Sequence, residues 1–363
     1  MTPFPRCLLR SKIALVILFG FLSAQGWGQT PPVQVVRDWK LYPAVVELPA
    51  VRQLYALGDV HGDYDKMVEL LAGTQLIAAR PATPQGVRWT GGDAVLVCTG
   101  DFIDKYNHAM SVISLLRALQ PEALAAGGRV VITLGNHEAE FLAGGGTDKK
   151  GADFEDELSS ASLSPSEVAA GKDSSGIGVW LRDLPAAAKV GGWFFCHAGN
   201  TGGMTVPQLE QEIETQVTQK GFDCPILVGD NSLLEARLHP RPWWDWDGQS
   251  PSLKDQSQIA EPKHSKKAVG TDPGEDRLRA GIEALGVHHL VFGHQPGKIK
   301  FSDGTERAQG EMYEKFCGLV FLIDTGMSRG VDDGKGAVLK ITDDSVHGVA
   351  AIYADGTVNT LVQ

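Results

Sequence analysis

The amino-acid sequence predicts an α/β fold built around a largely parallel β-sheet. From residue 52 onward, short apolar segments of strand length alternate with longer segments in which apolar residues recur every three or four positions. Most of the apolar segments end in a glycine-containing turn that carries Asp, Asn or His. Strands separated by helices of this length are typical of βαβ units, whose strands end at the same edge of the sheet.

The first half of this alternation contains three predicted strands and two predicted helices. QLYALGD (53–59), AVLVCTGD (94–101) and RVVITLGN (129–136) are apolar segments of strand length. Residues 64–79 and 108–125, which lie between them, carry leucine, isoleucine and methionine at helical spacing. The order is therefore strand, helix, strand, helix, strand.

The second half of the chain restores the strand pattern after two interruptions. WFFCHAG (193–199), HLVFGHQ (289–295) and LVFLIDTG (319–326) are the next apolar segments. Near the carboxyl end, AVLKI and HGVAAIY predict two or three antiparallel strands.

Two long polar segments interrupt the alternation. Residues 144–178 are rich in Gly, Ser and charged residues, and residues 249–275 look like another exposed loop. Both are predicted to be surface insertions, the first with one or two short helices. Since no segment reads as a sharp linker, residues 52–363 are predicted to be one domain, preceded by an N-terminal extension over residues 29–51.

Residues 1–28 have the pattern of an export signal. Arg6, Arg10 and Lys12 precede the apolar run IALVILFGFL, and small residues follow it. Because the apolar run is short for a membrane span, we predict a signal peptide and a periplasmic or secreted protein, with an uncleaved N-terminal anchor as the alternative. Cys224 and Cys317 could pair in an oxidising compartment, although their spacing cannot establish this.

The net charge limits the classes of partner. The formal charge of −11 at pH 7 argues against a nucleic-acid-binding protein, which needs dense Lys and Arg. It also fits poorly with adhesion to anionic membranes, and no stable membrane insertion is expected. The sequence gives no indication of the oligomeric state.

Polar residues with metal-ligand or acid–base chemistry stand where the predicted strands end: Asp59, His61, Asp101, Asp104, Asn136, His137, His197 and His294. If these strands share a sheet, the side chains converge on the edge where open α/β sheets bind ligands. Carboxylates, imidazoles and an amide oxygen suit divalent Mn, Fe, Zn or Ni better than thiolate-preferring metals. The pattern therefore indicates a metal site at this edge.

Two ions could share this site through a bridging carboxylate, with the ions ~3.5–4 Å apart. Asp101 is the predicted bridge, and Asp59 and His61 would complete one ion. The other ion would take the remaining ligands, Asn136, His197 and His294. Two cations lower the pKa of a water between them, so that it supplies a hydroxide near neutral pH.

The motifs GDVHG, GDFID, GNHE, CHAG and FGHQ, in this order, resemble those of the calcineurin-like metallophosphoesterases. The resemblance covers roughly residues 52–330 and is closest to the phosphoprotein phosphatase branch, in particular to the Shewanella-like phosphatases. It implies an α/β sandwich of two mixed β-sheets flanked by helices, with a dinuclear metal site at the carboxyl-end rim of the strands. It also implies the same ligand set, with His137, paired with Asp104, as the general acid for the leaving oxygen.

Departures from the family pattern concern the substrate contacts. The family commonly has Arg after the second Asp of GDxxD, whereas this chain has Lys105, a point charge instead of a bidentate fork. Arg241 and then Arg237 are the candidate phosphate clamps, and Asn136 is a further substrate contact. The run RPWWDWDG (241–248) would either line the cleft or pack as a surface loop.

We therefore predict a metal-dependent phosphatase that hydrolyses phosphomonoesters on a phosphoprotein or phosphopeptide, with manganese as the favoured metal. A hydrolase of small phosphoesters or nucleotides is the alternative within the same chemistry. A catalytically silent metal-dependent binding module is the alternative from another class. The retention of His137 and Asp104 beside all the ligands favours an enzyme.

Overall fold

Two mixed β-sheets organise the residues that the structure, a computed structural model, describes: 37–144, 151–239, 242–245 and 273–362. The strands are β1 Val45–Leu48, β2 Gln53–Leu57, β3 Val95–Cys98, β4 Arg129–Ile132, β5 Ala187–Val190, β6 Trp193–Cys196, β7 His289–Phe292, β8 Ile299–Lys300, β9 Glu306–Arg307, β10 Tyr313–Lys315, β11 Val320–Leu322, β12 Val338–Thr342, β13 Ser345–Ile352 and β14 Val358–Thr360. The helices are α1 Tyr64–Gly73, α2 Ala109–Ala125, α3 Asn136–Gly144, α4 Ala152–Ser160, α5 Pro165–Ala169, α6 Ile177–Arg182, α7 Val206–Lys220, α8 Pro225–Val228 and α9 Pro273–Ala284.

The first sheet has the order β14-β13-β12-β2-β3-β4. Strands β2, β3 and β4 are parallel, as the alternation of strands and helices predicts. The carboxyl-terminal strands β12, β13 and β14 pair antiparallel, and β12 also pairs antiparallel with β2. The prediction of antiparallel strands at the end of the chain is therefore confirmed.

The second sheet has the order β1-β5-β6-β7-β11-β10. Parallel pairs join β1 to β5 and β7 to both β6 and β11, whereas β5–β6 and β10–β11 are antiparallel. The apolar pattern alone predicts a largely parallel sheet, whereas the strands divide between two mixed sheets, because apolar periodicity does not indicate which strands pair. The two mixed sheets flanked by helices that the family resemblance implies are confirmed.

An apolar layer contains residues from both sheets. Leu54, Ala56 and Val97 from the first sheet and Phe195 and Phe321 from the second belong to one buried cluster. Alternate residues of the same strands pack with the helices in the other large cluster. Each large apolar side chain buried in this way contributes roughly 1.5–3 kcal/mol. The two apolar clusters, one between the sheets and one between the strands and the helices, therefore stabilise the fold.

The described part of the first predicted insertion, residues 151–178, contains two short helices, α4 and α5, as predicted, and ends where α6 begins. Phe154 and Leu158 of α4 are fully buried, so this segment contributes to the core as well as to the surface. Glu157 of the same helix accepts hydrogen bonds from the amides of Ala109 and Met110 at the start of α2. The predicted insertion at 249–275 lies outside the described residues up to position 272.

The four cysteines outside the predicted leader are free thiols. Cys98, Cys196 and Cys224 are buried, and Cys317 is exposed, so the pairing of Cys224 with Cys317 does not occur in this structure. Burial raises the pKa of the Cys98 and Cys196 thiols to about 12. In the described part of the chain, no helix combines the length and apolarity that a bilayer crossing requires.

Candidate active site

Side chains from the carboxyl ends of strands in both sheets converge on one site. Among the described residues, His61, Asp101 and His137 each offer a ligand atom within 4.8 Å of the others. Asp101, His197 and His294 form a second such group. Asp101 belongs to both groups, which is the position that a carboxylate bridging two cations must occupy.

Asn136 completes the second group. Its Oδ1 lies 2.9 Å from His197 Nε2 and 3.2 Å from His294 Nδ1, and these two ring nitrogens are 3.0 Å apart. The Asn136, His197 and His294 side chains are all buried. Three atoms of the types that ligate divalent metals therefore face one another among buried side chains, as they would around a shared cation.

Asp59 joins the two sheets at the rim. Its carboxylate is 2% exposed, and its oxygens accept the His294 amide at 3.0 and 3.2 Å. The structure therefore groups His137, not Asp59, with His61 and Asp101, because Asp59 is turned toward the His294 backbone. Gly293 allows this close approach, since a Cβ there would collide with Asp59 Oδ1.

Backbone carbonyls fix the tautomers of two histidines. His197 Nδ1 lies 2.9 Å from Thr99 O, and His61 Nδ1 lies 3.2 Å from Ile103 O. A carbonyl oxygen can only accept a hydrogen bond, so each Nδ1 must carry the proton. Each Nε2 then turns toward Asp101 Oδ2, at 3.4 Å from His197 and 3.5 Å from His61. This arrangement leaves Nε2 as the ligand atom.

Glu138, which the sequence reasoning did not single out, holds the Asp101 loop in place. Its buried carboxylate accepts the amides of Asp101 at 2.8 Å, Phe102 at 3.0 Å and Ile103 at 3.1 Å. It also accepts the Gly135 amide at 2.8 Å. These four bonds fix the turn that aims Asp101 into the site. Its place in the first turn of α3, next to His137, is the sequence signal that could have found it.

His137 and Asp104, the predicted acid and its partner, are in direct contact. His137 Nδ1 donates to Asp104 Oδ2 at 2.8 Å, and the amide of Phe154 in α4 donates to Asp104 Oδ1 at 3.0 Å. Burial disfavours the charged imidazole, but the carboxylates of Asp101 and Asp104 outweigh it and raise the pKa of His137. The first insertion thus supports this pair through a backbone amide.

The backbone is left-handed at five of the rim residues. The φ angles are 44° at His61, 50° at Asp101, 62° at Asp104, 64° at Lys105 and 71° at His294. This conformation costs roughly 1–2 kcal/mol for a residue with a side chain. Such residues cluster at functional sites, where the surrounding structure imposes the conformation.

The predicted substrate contacts are less closely placed. Lys105 is exposed, directly after Asp104. The Arg237 side chain is 48% exposed and approaches Glu235 at 3.4 Å. The amide of Leu238 donates to Gln295 Oε1 at 2.6 Å, which places the Arg237 segment beside the His294 loop. Arg241 lies outside the described residues.

Of the tryptophan run, the structure describes residues 242–245, and Trp246 lies outside the described residues. Trp244 is 3% exposed and packs near Phe292, Phe301 and Phe316. Trp243 contacts Trp244 edge-on at a centroid distance of 5.3 Å. Trp244 therefore packs into the core with aromatic neighbours distant in sequence, as in the packing alternative.

The donor set fits a pair of hard or borderline divalent cations. Imidazole nitrogens, carboxylates and one amide oxygen are the donors, and no thiol takes part in either donor group formed by the described residues. Asp59 and Asp101 are both buried carboxylates. Burial raises the pKa of Asp59 most, and the charges of Asp324 and then Asp101 raise it further, so the carboxylates repel one another. Two cations would offset that repulsion, so the site is compatible with a dinuclear metal centre.

Comparisons with known proteins agree with this geometry. The family model of the calcineurin-like phosphoesterases matches residues 53–298. Shewanella-like protein phosphatase 2 of Arabidopsis thaliana is 35% identical over 92 residues, which are 25% of this chain and 22% of that protein. A symmetrical bis(5'-nucleosyl)-tetraphosphatase of Dechloromonas aromatica is 28% identical over 172 residues, 47% of this chain and 52% of that protein. The chain therefore spans about a fifth of the first relative's length and about half of the second's.

A solved structure shares the fold. The cold-active protein-tyrosine phosphatase of a psychrophilic Shewanella species superimposes with a TM-score of 0.60 at 18% identity. The superposition covers 88% of this chain and 83% of that one.

Proposed function

Because this chain belongs to the calcineurin-like phosphoesterase family, we propose that it is a dinuclear-metal phosphatase that hydrolyses phosphomonoesters on phosphoproteins or phosphopeptides. The observation that carries the proposal is that Asp101 belongs to both groups of ligand atoms. A carboxylate shared by two such groups is what a two-ion phosphoesterase needs. Manganese is the proposed metal, and Fe, Zn or Ni would suit the same donors.

We propose that the rim residues divide into two half-sites around Asp101. In this proposal His137, which groups with His61 and Asp101 in the structure, acts as the acid, and Asp59 takes the ligand role in its place. Asp59 and His61 would complete the first ion, and Asn136, His197 and His294 would complete the second. When bound, two such cations supply an activated water for in-line attack and offset the charge of the phosphoryl oxygens. The chain's own contribution is to fix these ligands, through Glu138 on one loop and the Thr99 and Ile103 carbonyls on two imidazoles.

His137 is proposed to give its Nε2 proton to the leaving oxygen. Its Nδ1–H is held by Asp104, so Nε2 is the nitrogen that remains for the substrate. The Asp104 carboxylate both orients the ring and favours its protonated form. A proton delivered at this point matters most for an alkoxide, which is a poor leaving group without one.

The proposed substrate class rests on the comparisons and on the sequence motifs. The Shewanella-like relative and the resemblance of the motifs to the phosphoprotein phosphatase branch favour a phosphoprotein or phosphopeptide. The match to a bis(5'-nucleosyl)-tetraphosphatase over about half of the chain favours the second candidate, a hydrolase of nucleotides or other small phosphoesters. Lys105, Arg237, Arg241 and Asn136 are the proposed phosphate contacts in either case.

A substrate panel tests the proposal. Purified protein would be assayed on phosphoserine and phosphotyrosine peptides, p-nitrophenyl phosphate, bis-p-nitrophenyl phosphate and diadenosine tetraphosphate, with Mn²⁺ and with EDTA. We expect Mn²⁺-dependent hydrolysis of the peptides and the monoester, and little of the diester. Preferential cleavage of diadenosine tetraphosphate would support the second candidate instead. Absence of turnover on every substrate, with metal bound, would indicate a silent binding module.

Export is also proposed, from the amino-terminal pattern alone. The mature chain should begin between about Gln25 and Thr30, as read by amino-terminal sequencing of protein recovered from the periplasm or the medium. Recovery of a chain that still begins at Met1 in the cytosolic fraction would contradict export.

A further inference from the structure

A buried arginine lies beneath the loop that carries His294. Arg307 ends β9, where it pairs with Ile299 of β8 in a short hairpin directly after that loop. It is 1% exposed and is among the largest fully buried side chains of the described residues. A polar hairpin of this kind normally sends an arginine to the surface, so its burial calls for a reason.

The guanidinium of Arg307 donates to backbone carbonyls on two loops of the site. Nη2 donates to Gln295 O at 2.5 Å and to Gly297 O at 2.7 Å, and Nε also reaches Gly297 O, at 3.2 Å. Nη1 donates to Asp324 O at 3.2 Å, on the turn that follows β11. One planar group therefore joins the loop after β7 to the loop after β11.

Both loops lie against metal-ligand positions. His294 directly precedes Gln295, and its backbone is left-handed, so the loop needs outside support to keep this shape. The turn at Asp324 touches Gly58, next to Asp59, because a Cβ on Gly58 would lie 2.8 Å from Ile323 O and 3.3 Å from the Asp324 Cα. Arg307 thus reaches both sides of the Asp59–His294 contact through the backbone.

The charge of Arg307 also suits its surroundings. Among the described residues it forms no ion pair within 4.0 Å, and its bonds go to carbonyl oxygens. Burial lowers the pKa of the guanidinium, while the nearby carboxylates of Asp324 and Asp59 act in the opposite direction. A fixed cation beside buried carboxylates reduces their mutual repulsion before any metal binds.

We infer that Arg307 is a positioning residue for the metal centre, which holds the His294 and Asp324 loops in their ligand-binding arrangement through its bonds to three carbonyls. The inference rests on the proposed metal site. Lysine cannot replace this arginine, because an ammonium is a point charge and lacks the planar fork that reaches several carbonyls at fixed angles. Arg307→Lys therefore keeps the charge and removes the geometry.

The chain offers a matched control. Arg37 is a second, partly buried arginine that donates only to backbone carbonyls in its hydrogen bonds within the described residues: Tyr42, Pro43, Arg182 and Leu184. None of these carbonyls belongs to the loops that carry the predicted ligands. Arg37→Lys should therefore weaken the fold in a similar way without changing the metal centre.

The test measures Mn²⁺ affinity by isothermal titration calorimetry. Metal-free wild type, Arg307→Lys and Arg37→Lys are each titrated with MnCl₂. We expect Arg307→Lys to bind one of the two ions roughly 10–100-fold more weakly, the size of effect seen when groups that orient metal ligands are removed. Its activity should be low at limiting Mn²⁺ and return close to the wild-type kcat in excess Mn²⁺. Arg37→Lys should bind both ions as the wild type does.

Three results would overturn the inference: wild-type Mn²⁺ affinity in Arg307→Lys, an equal loss in Arg37→Lys, or a loss of kcat that excess Mn²⁺ does not restore. A wild type that binds no Mn²⁺ would instead remove the proposed function, and this inference with it. If Arg307→Lys does not fold, hydrogen exchange of the metal-free wild type decides the matter. The segment 293–300 should already be protected, and exchange as fast as in the exposed turn at 302–304 would contradict preorganisation by Arg307.

Discussion

The same strands serve two different regions, an apolar interior between the sheets and a polar rim where the strands end. Phe195 is fully buried in the intersheet cluster, and His197, two residues later, faces Asp101. Val97 lies in that cluster, and Asp101, four residues later, belongs to both groups of metal ligands. Along the chain, only two to four residues thus separate a side chain of the apolar interior from a side chain of the site.

The two regions follow opposite physical rules. In the interior, alternate residues of the strands face the cluster between the sheets, and the strand register is regular. At the rim, carboxylates and imidazoles are buried together and the backbone is left-handed at several positions. Buried like charges and strained backbone oppose folding, so the rim depends on the interior for its stability. Substitutions in the interior should therefore change stability, and substitutions at the rim should change chemistry.

The largest effect is expected at the rim, for His137→Asn. A positioned general acid contributes roughly 10²–10⁴-fold in rate, so hydrolysis of a phosphoserine peptide should fall by about that factor. Hydrolysis of p-nitrophenyl phosphate should fall much less, because p-nitrophenolate leaves without a proton. Steady-state kinetics on both substrates, with metal content measured in parallel, check this. Equal losses on both substrates, or loss of metal, would make His137 a ligand or a structural residue.

The next effect is expected in the interior, for Phe195→Ala. Removing a buried phenylalanine typically costs about 3–5 kcal/mol of unfolding free energy. The folded fraction should still bind metal and keep its kcat, because Phe195 faces the opposite sheet and not the ligands. Denaturant titration gives the stability and MnCl₂ titration the metal affinity. A variant of unchanged stability that no longer binds metal would contradict the separation of the two regions.

A smaller effect is expected for Asp104→Asn, about tenfold on the phosphoserine peptide at neutral pH. Asp104 helps to raise the pKa of His137, although burial and Asp101 act more strongly on that pKa. Without the Asp104 carboxylate, the pKa of His137 should be lower. The rate should therefore begin to fall at a lower pH than in the wild type. The pH profile of kcat on the two substrates measures this. An unchanged profile on the peptide would separate Asp104 from the proton transfer.

The regularity of the interior explains why much of the fold can be read from the sequence. The segments around 53–59, 94–101 and 129–136 are apolar over a strand length, and each ends in a turn whose polar residues belong to the site. Local pattern therefore places Asp59, Asp101 and Asn136 at strand ends. It cannot assign the strands to two sheets, because pairing such as that of β12 with β2 is set by contacts between residues far apart in the chain.

The support of the rim could not be read in this way. Glu138 acts through four amides on two segments, and Asp104 depends on the amide of Phe154, fifty positions away. Arg307 lies in a polar hairpin with no periodicity that would indicate burial. A side chain that bonds to a backbone group has no partner residue type that a single sequence could reveal. The ligands can therefore be predicted, whereas most of the groups that hold them cannot.

The proposed function depends above all on Asp101 being shared between two metal ions. The most direct measurement is elemental analysis of wild type and Asp101→Asn, each purified with Mn²⁺ and checked for folding by thermal unfolding. We expect two ions per chain in the wild type and clearly fewer than two in a folded Asp101→Asn protein. A folded Asp101→Asn variant that keeps two ions and full activity would contradict the shared role of Asp101.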